Sequence, residues 1–277
     1  YTSVPTGGFL GDCDGHGSNV ASIAAGNTNG WASGAAIYSI RAVGTGAVTE
    51  TDITDGRTLG IVDMLSAWYD IYTFHSFKTA DPKTGYKRPT VVNCSFGFTQ
   101  AYTNMASITY RGTTHVTNTS SGLYGTIGVP QGGGGDHGIR VSAYEANIQQ
   151  AIAIGVIVVG AAGNDYHKID LPSGQDYNNY WTQSNSNTWY YHRGTTPGAT
   201  PGVICVGAIS GTTPEHKVSF SATGPRVDIF APGVGILGAF SSATYAVSAV
   251  YDPRSAYSSA TTSISTTAIS NASFSAS

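Results

Sequence analysis

Four well-separated runs of apolar or β-branched residues predict strands, and they lie at residues 36–43, 90–96, 156–161 and 203–209. Each run is continuously apolar, which is typical of parallel strands covered on both faces. Between the first two runs, apolar residues recur at three- and four-residue steps from Leu59 to Tyr72 and predict a helix. Residues 144–154 predict a second helix, which ends at Gly155. Strands that alternate with helices indicate an α/β fold with a mostly parallel sheet.

Two long stretches lack this patterning and are interpreted as insertions. Residues 98–138 hold four consecutive glycines and few apolar repeats, which favours a surface insertion, with or without a short hairpin. Residues 166–200 are crowded with Tyr, Trp, Asn and Thr, and they either line a groove or form a packed Ω-like loop. We assign residues 1–240 to one domain that carries both insertions. Residues 241–277 form a Ser/Thr/Ala-rich tail of low complexity.

The composition excludes several classes of protein. Charged residues make up only 10% of the chain, against about 25% in a typical soluble domain. Such a surface, rich in Ser, Thr, Asn, Gly and Tyr, is common in secreted and virion proteins. A net charge of −3 without clustered Lys or Arg argues against a nucleic-acid partner. The longest apolar run, residues 151–163, is shorter than the roughly 20 residues that span a bilayer, so no membrane span is predicted.

The cysteines point to neither a disulfide framework nor a metal site. The chain has three, at positions 13, 94 and 205, and they are odd in number and far apart in sequence. Cys94 and Cys205 fall in predicted strands and are interpreted as small core residues. We therefore assign no metal ligands and no cofactor.

Two short segments carry residues suited to catalysis. His16 lies between two glycines at the start of an Ala-rich helix, so its imidazole is uncrowded and can act as a general base. A helix-terminal His that only caps or packs is an equal alternative at this point. Asn164 follows the predicted strand at residues 156–161, and the carboxyl ends of parallel strands are where α/β sheets place their sites. Its amide can donate to an oxyanion, although a turn-forming Asn is the favoured interpretation of this segment alone.

Taken together, these segments resemble the subtilisin-like serine proteases. Residues 15–26 resemble that family's His-Gly-Thr-His-Val-Ala-Gly helix, with Asn19 and Ser22 in place of its second His and its last Gly. Further matches follow in the family's order: an Asn-Met-Ser-Leu-Gly strand, the strand that delivers the oxyanion Asn, a Val-Ile-Ala-Val-Gly-Ala strand and a Phe-Ser then Ala-Pro-Gly signature. They lie at residues 91–97, 155–164, 203–209 and 218–233. The resemblance implies a three-layer α/β sandwich of the subtilisin type.

The resemblance also implies residue roles. His16 becomes the general base, Asn164 the oxyanion donor, and Ser95, Phe96 and Gly97 an edge that pairs with an extended peptide or protein substrate. We expect His16 and Asn164 to lie near one another at the carboxyl edge of the sheet. His137, in the Gly-rich insertion, is expected to tolerate alanine.

The sequence departs from the family pattern at both ends. No Asp-x-Gly signature precedes His16, and no Gly-Thr-Ser-Met-Ala motif follows the Ala-Pro-Gly turn at residues 231–233. The triad Asp and Ser are thus absent from these 277 residues, and the fold is expected to be incomplete at both ends. One triad member alone leaves at best weak oxyanion and binding contributions, so we expect this chain by itself to lack hydrolytic activity.

A narrower resemblance leaves a second function open. Several short segments look like subtilase-like proteins of tailed phages of marine bacteria, namely residues 26–32, 168–172, 176–180 and 190–194. One hypothesis is a serine endopeptidase completed by flanking segments. The alternative is a catalytically inactive structural or binding module, for example a phage virion component with other virion proteins as partners. The corresponding locations are extracellular or virion-associated.

Overall fold

The computed structural model describes residues 16–40, 51–52, 57–58, 61–116, 135–211, 213–239 and 273–274. The chain divides into two compact units. The first unit comprises Tyr1–Ala67 and Gly235–Ser277, and the second comprises Trp68–Val234. The domain boundary at residue 240 stays a prediction, and the tail at residues 241–277 lies outside the described residues apart from 273–274.

The second unit is built on a parallel sheet of four strands. The strands are β3 (Val91–Cys94), β8 (Ile157–Ala161), β11 (Ile204–Ile209) and β12 (Ile229–Pro232), in the spatial order β12-β11-β8-β3. In the register of the sheet, Gly160 of β8 lies opposite Cys94 of β3 on one side and opposite Cys205 of β11 on the other. Three of the four strands predicted from apolar runs are therefore confirmed.

Two predicted helices are also confirmed, with small changes at their ends. Helix α2 covers Ile61–Phe77. Helix α3 covers Ser142–Ala153, and its residues Tyr144, Ile148 and Ala151 are fully buried. The C-terminal residue Ile154 and the positive φ of 98° at Gly155 end the helix. Glycine adopts that left-handed conformation without strain, which allows the direct turn into β8.

The two faces of the parallel sheet differ in burial. Cys94, Val158 and Cys205 are buried on one face, and both cysteines are free thiols, as expected for small core residues. On the other face the first residue of each strand is exposed: Val91, Ile157, Ile204 and Ile229. A parallel sheet is normally covered on both faces, so this face is atypical in the described part of the chain.

The prediction of a strand at residues 36–43 is wrong for residues 36–40, which the structure describes. Residues 36–40 form no strand, and residues 41–43 lie outside the described residues. Ile37 and Ile40 are 54% and 47% exposed, so this apolar run is not buried between two layers. The prediction relied on β-propensity, which mainly reports how well a residue packs on a pleated surface.

A second sheet replaces much of the two predicted insertions. It is antiparallel, with the order β10-β9-β5-β6, and its strands are β5 (Met105–Tyr110), β6 (Thr113–Val116), β9 (Tyr180–Gln183) and β10 (Thr188–Tyr190). Two further strands, β4 (Thr99–Ala101) and β7 (Asp136–Gly138), pair with each other. Tyr102, Ile108, Trp181 and Tyr191 form a buried cluster that joins the two stretches. The short hairpin expected within residues 98–138 is present as β5 and β6, whereas the buried Tyr102 does not lie at the surface.

In the first unit, helix α1 (His16–Ala25) packs against the segment that follows β13 (Ile236–Leu237). The Ser22 hydroxyl donates to the Asn19 carbonyl at 2.7 Å and accepts the Ala239 N–H at 2.7 Å. A Cβ on Gly238 would overlap the Asn19 side chain, so the two segments are in close contact. Asn19 and Ser22, the two residues that differ from the subtilase helix pattern, thus anchor α1 to residues 238–239. Three further strands of two residues each belong to this unit: β1 (Thr51–Asp52), β2 (Arg57–Thr58) and β14 (Ser273–Phe274).

Candidate active site

Asn164 lies in an exposed turn that follows β8. Gly163 precedes it with a φ of 116°, a conformation that favours glycine and turns the chain sharply after the buried Ala162. Among the described residues, no hydrogen-bond partner of the Asn164 side chain is found. The amide is therefore free to donate to a ligand at the carboxyl edge of the sheet.

Three hydrogen bonds fix the turn that carries Asn164. The Gly163 carbonyl accepts the Ala222 N–H at 3.0 Å, and the Tyr166 N–H donates to the Phe220 carbonyl at 2.8 Å. The Asp165 carboxylate accepts the Gly138 N–H at 2.9 Å. Burial raises the pKa of Asp165, while this hydrogen bond favours the ionised form. The backbone on both sides of Asn164 is thus held while its side chain stays exposed.

Ser95, Phe96 and Gly97 continue directly from β3. Because β3 and β8 are parallel neighbours with Cys94 opposite Gly160, the segments that follow them reach the same edge of the sheet. Within the described part of the chain, the backbone N–H and C=O groups of residues 95–97 form no backbone hydrogen bond. Pairing resumes at Phe98, whose N–H donates to the Thr196 carbonyl at 3.2 Å. Three consecutive residues therefore offer unpaired backbone beside the turn of Asn164.

His16 is the first residue of α1 and is exposed to solvent. It belongs to the first unit, whereas Asn164 and the segment at residues 95–97 belong to the second. The structure brings the last two together at one sheet edge. The predicted proximity of His16 to Asn164 stays a prediction.

A cluster of buried histidines lies next to this edge and was not found from the sequence. His137, His167 and His192 are each at most 5% exposed. The ring centroids of His137 and His167 are 6.4 Å apart, and those of His167 and His192 are 6.3 Å apart. His137 immediately precedes Gly138, and His167 lies three residues after Asn164. The only signal in the sequence was the high density of Tyr and Trp around them.

The three imidazoles are held by neutral partners. His137 Nε2 accepts the Trp181 Nε1–H at 2.8 Å, and His192 Nδ1 accepts from the Asn179 amide at 3.2 Å. His167 Nε2 forms a hydrogen bond of 3.2 Å with the Tyr102 hydroxyl. Burial lowers the pKa of each of the three histidines to about 4. In the part of the chain that the structure describes, no group of three or more His, Cys, Asp or Glu could hold a metal ion.

The burial of His137 corrects the expectation that it tolerates alanine. His137→Ala removes a fully buried ring and leaves the Trp181 Nε1–H without its acceptor. We expect the free energy of unfolding to fall by about 3 kcal/mol, from the cavity and the unpaired donor together. Urea denaturation measures this change. The exposed His216 provides the control, since His216→Ala leaves no cavity and loses the 3.1 Å hydrogen bond with the Ser210 hydroxyl, which should change stability by no more than about 1 kcal/mol.

The fold and this edge define a class of protein. An α/β fold with unpaired backbone and a free amide at adjacent strand ends is suited to binding an extended peptide beside an oxyanion donor. The model of the subtilase family (Peptidase_S8) matches residues 4–273. The chain belongs to the subtilase family, and its fold is the subtilisin-like α/β fold.

Two curated relatives align with most of this chain. It is 28% identical over 259 residues to the subtilisin-like proteinase Mp1 of Magnaporthiopsis poae, and the alignment covers 92% of this chain and 44% of that protein. It is 25% identical over 250 residues to the extracellular serine proteinase of Thermus sp. (strain Rt41A), which covers 90% of this chain and 40% of that protein. The chain thus spans less than half the length of these relatives.

Solved structures give a weaker likeness. A cold-adapted subtilisin-like serine proteinase is 21% identical, with a TM-score of 0.47, over 83% of this chain and 52% of that chain. The prenylagaramide maturation protease PagA is 19% identical, with a TM-score of 0.34, over 66% and 41% of the respective chains.

No helix in the described ranges is long and apolar enough to cross a membrane.

Proposed function

We propose that this chain is the substrate-binding and oxyanion-stabilising part of a subtilisin-like serine endopeptidase. The observation that carries the proposal is the pairing of β3 with β8, which sets the unpaired backbone of residues 95–97 beside the free amide of Asn164. An extended peptide can add to this backbone as a strand, with its scissile carbonyl at Asn164. Residues outside these 277 would supply the nucleophilic Ser and the triad Asp, whose motifs the sequence lacks.

The proposed reaction is acyl transfer to that Ser. His16 removes the proton of the Ser hydroxyl as its oxygen attacks the scissile carbonyl, and His16 then gives the proton to the leaving amine. The Asn164 amide donates to the oxyanion that forms in the tetrahedral intermediate. Water then hydrolyses the acyl-enzyme by the same sequence of steps. Because one relative is an extracellular serine proteinase, we place this reaction outside the cell.

Replacing Asn164 in the full-length protein tests the role of its amide. Asn164→Ala should lower kcat by roughly 10²–10³-fold with a smaller change in KM, because an oxyanion donor acts mainly in the transition state. Asn185, an exposed residue in the turn between β9 and β10, is the matched control, and Asn185→Ala should leave both parameters unchanged. An equal loss of kcat in both variants would overturn the assignment of Asn164.

The inactive alternative makes the opposite prediction for the full-length protein. A fluorophosphonate labels activated serines, so an endopeptidase should react with it while the 277-residue chain alone should not. A structural module, including one in a virion, would give no labelling and no peptide cleavage in either form. Labelling of a serine within the isolated chain would show that the nucleophile was missed.

A further inference from the structure

A hairpin rich in Lys and Arg connects α2 to β3, and we call its residues 78–89 the basic hairpin. Its two arms pair at Ala80 and Lys87, which form an antiparallel bridge. The Asp81 N–H donates to the Tyr86 carbonyl at 2.9 Å, and the Gly85 N–H donates to the Asp81 carbonyl at 2.8 Å. Backbone hydrogen bonds therefore hold the hairpin in one defined conformation.

Two lysines fix the hairpin to the end of α2. Lys87 Nζ donates to the carbonyls of Ser76 at 2.7 Å and His75 at 3.2 Å. Lys78 Nζ donates to Thr90 Oγ1 at 2.7 Å. The last carbonyls of a helix have no partner within it, and lysines close to the C-terminus satisfy them. The hairpin is thus held on the molecule, although most of its residues are exposed.

The positive charge of the basic hairpin has no described counter-ion. Residues 78–89 hold four of the chain's 13 Lys and Arg residues and one carboxylate, that of Asp81, which gives a formal charge of +3. Among the described residues, no ion pair includes the hairpin. Elsewhere in the second unit, four cations each bind a carboxylate: Arg111, Arg140, Lys168 and Arg226. No more than two of the hairpin cations are adjacent in sequence, so only the folded hairpin shows them as a cluster.

Aromatic rings are exposed beside these cations. Phe77, the last residue of α2, is 81% exposed, and Tyr86 is 78% exposed. Phe77 directly precedes Lys78, and Tyr86 directly precedes Lys87. Residues 82–89 are all exposed, so this surface is convex and fits a flat partner rather than an enclosed ligand. Such a partner has to offer both negative charge and an apolar layer.

We propose that the basic hairpin and Phe77 dock the protein on a lipid bilayer with anionic headgroups. Lys83 and Arg88 contact the headgroups, and the rings of Phe77 and Tyr86 enter the boundary between headgroups and acyl chains. A nucleic acid fits this surface less well, because phosphate contacts supply most of its affinity and the ring of Phe77 offers none. Docking does not depend on the proposed endopeptidase activity.

The location of the hairpin leaves the candidate active site accessible. The hairpin precedes β3 and lies at the amino edge of the parallel sheet. Residues 95–97 and Asn164 follow β3 and β8 and lie at the carboxyl edge. A protein docked through residues 78–89 therefore keeps the carboxyl edge away from the bilayer. Docking concentrates the protein at a membrane without blocking a soluble peptide.

Sedimentation with lipid vesicles tests the role of the cations. Full-length protein should bind vesicles of equal parts phosphatidylglycerol and phosphatidylcholine more tightly than vesicles of phosphatidylcholine alone, and high salt should weaken the binding. The double variant Lys83→Gln/Arg88→Gln should bind the anionic vesicles roughly 25-fold more weakly, about 5-fold for each cation. Lys217 is the matched control, since it is an exposed cation paired with the end of β11 at the carboxyl edge. Lys217→Gln should change the affinity by less than about 2-fold.

Variants of Phe77 test whether the ring enters the lipid. Phe77→Ser should lower the affinity for anionic vesicles by about 10-fold. The emission of Phe77→Trp, after subtraction of that of the unsubstituted protein, should shift to the blue on addition of these vesicles. Because Phe77, Lys83 and Arg88 are exposed, none of the variants should move the midpoint of urea unfolding.

Three results each overturn the proposal: equal binding to the two lipid compositions, unchanged affinity of Lys83→Gln/Arg88→Gln, or no blue shift in Phe77→Trp. Binding of heparin or duplex DNA without binding of vesicles also overturns it, since the partner of the hairpin is then a soluble polyanion.

Discussion

His16→Ala should lower kcat/KM of the full-length protein by about 10⁴-fold or more. The proposed mechanism uses this imidazole twice, first to remove the proton of the nucleophile and then to protonate the leaving amine. Without it, the attacking oxygen stays a neutral hydroxyl, and only oxyanion and binding contributions remain. Steady-state cleavage of an internally quenched peptide measures the loss.

The position of His16 at the start of α1 makes the variant informative. The residue is exposed, so its replacement should change the free energy of unfolding by no more than about 0.5 kcal/mol. His216→Ala, at an exposed position of the second unit, controls for loss of an imidazole as such. If His16→Ala cleaves as fast as the unsubstituted protein, His16 is not the base, and the subtilase motif around it serves structure alone.

The sequence predicted the parallel sheet well because its strands are marked by their own composition. β8 and β11 are continuous apolar runs, and such runs are recognised without information from distant residues, although one face of the sheet is exposed in the described part of the chain. The same logic failed at residues 36–40. Their apolar composition is as strong, but Ile37 and Ile40 are about half exposed, and local composition does not report whether a partner strand is present.

The antiparallel sheet was missed because its pairing is distant in sequence. β5 pairs with β9, so each predicted insertion contains only part of the sheet. One local signal was available, since β5 and β6 are joined by Arg111 and Gly112 with φ of 50° and 84°. A two-residue turn with both φ values positive is typical of a β-hairpin, but Arg rather than Asn or Asp at its first position weakens that signal.

The residues at and around the candidate site also differ in how far the sequence could predict them. Asn164 and residues 95–97 were assigned from the resemblance to the subtilase motifs, and the structure places these segments after β8 and β3, while their roles stay predictions. The packing behind residues 95–97 could not be predicted, since the contact of Thr195 with Gly97 and Gly138 depends on three segments that meet only in the folded chain. The buried histidines are a similar case, because histidine is a polar residue and only the folded chain shows that these three are buried.

Those histidines should make the stability of the second unit strongly dependent on pH. Burial lowers the pKa of His137, His167 and His192 to about 4, from the value of about 6.5 expected in the unfolded chain. Between these values the unfolded chain binds more protons, so stability is fully present above about pH 6.5 and is lost as the pH falls toward 4. Each histidine should remove about 2 kcal/mol by pH 5.

The charges around the cluster do not cancel this effect. Asp170 and Asp176 face His192, but Lys168 forms hydrogen bonds of 3.1 and 2.7 Å to these two carboxylates, and Arg111 binds Asp176 as well. Lys168 and Arg111 thus largely compensate the negative charge of these two carboxylates, which weakens its effect on the imidazoles. The other facing carboxylates are Asp136 and Asp165, and the phenols are Tyr102, Tyr166 and Tyr191.

Urea unfolding of the 277-residue chain at pH 7.5 and pH 5 measures the combined loss, and the chain should be less stable at pH 5. His137→Gln keeps an acceptor within reach of the Trp181 Nε1–H but does not titrate, so it should remove about one third of the pH dependence. His216→Gln, at an exposed position, should leave the slope unchanged. If stability is the same at the two pH values, or if His137→Gln has the slope of the unsubstituted chain, the buried imidazoles do not determine acid sensitivity. A cluster that lies between Gly138 and the turn of Asn164 would then contribute packing alone.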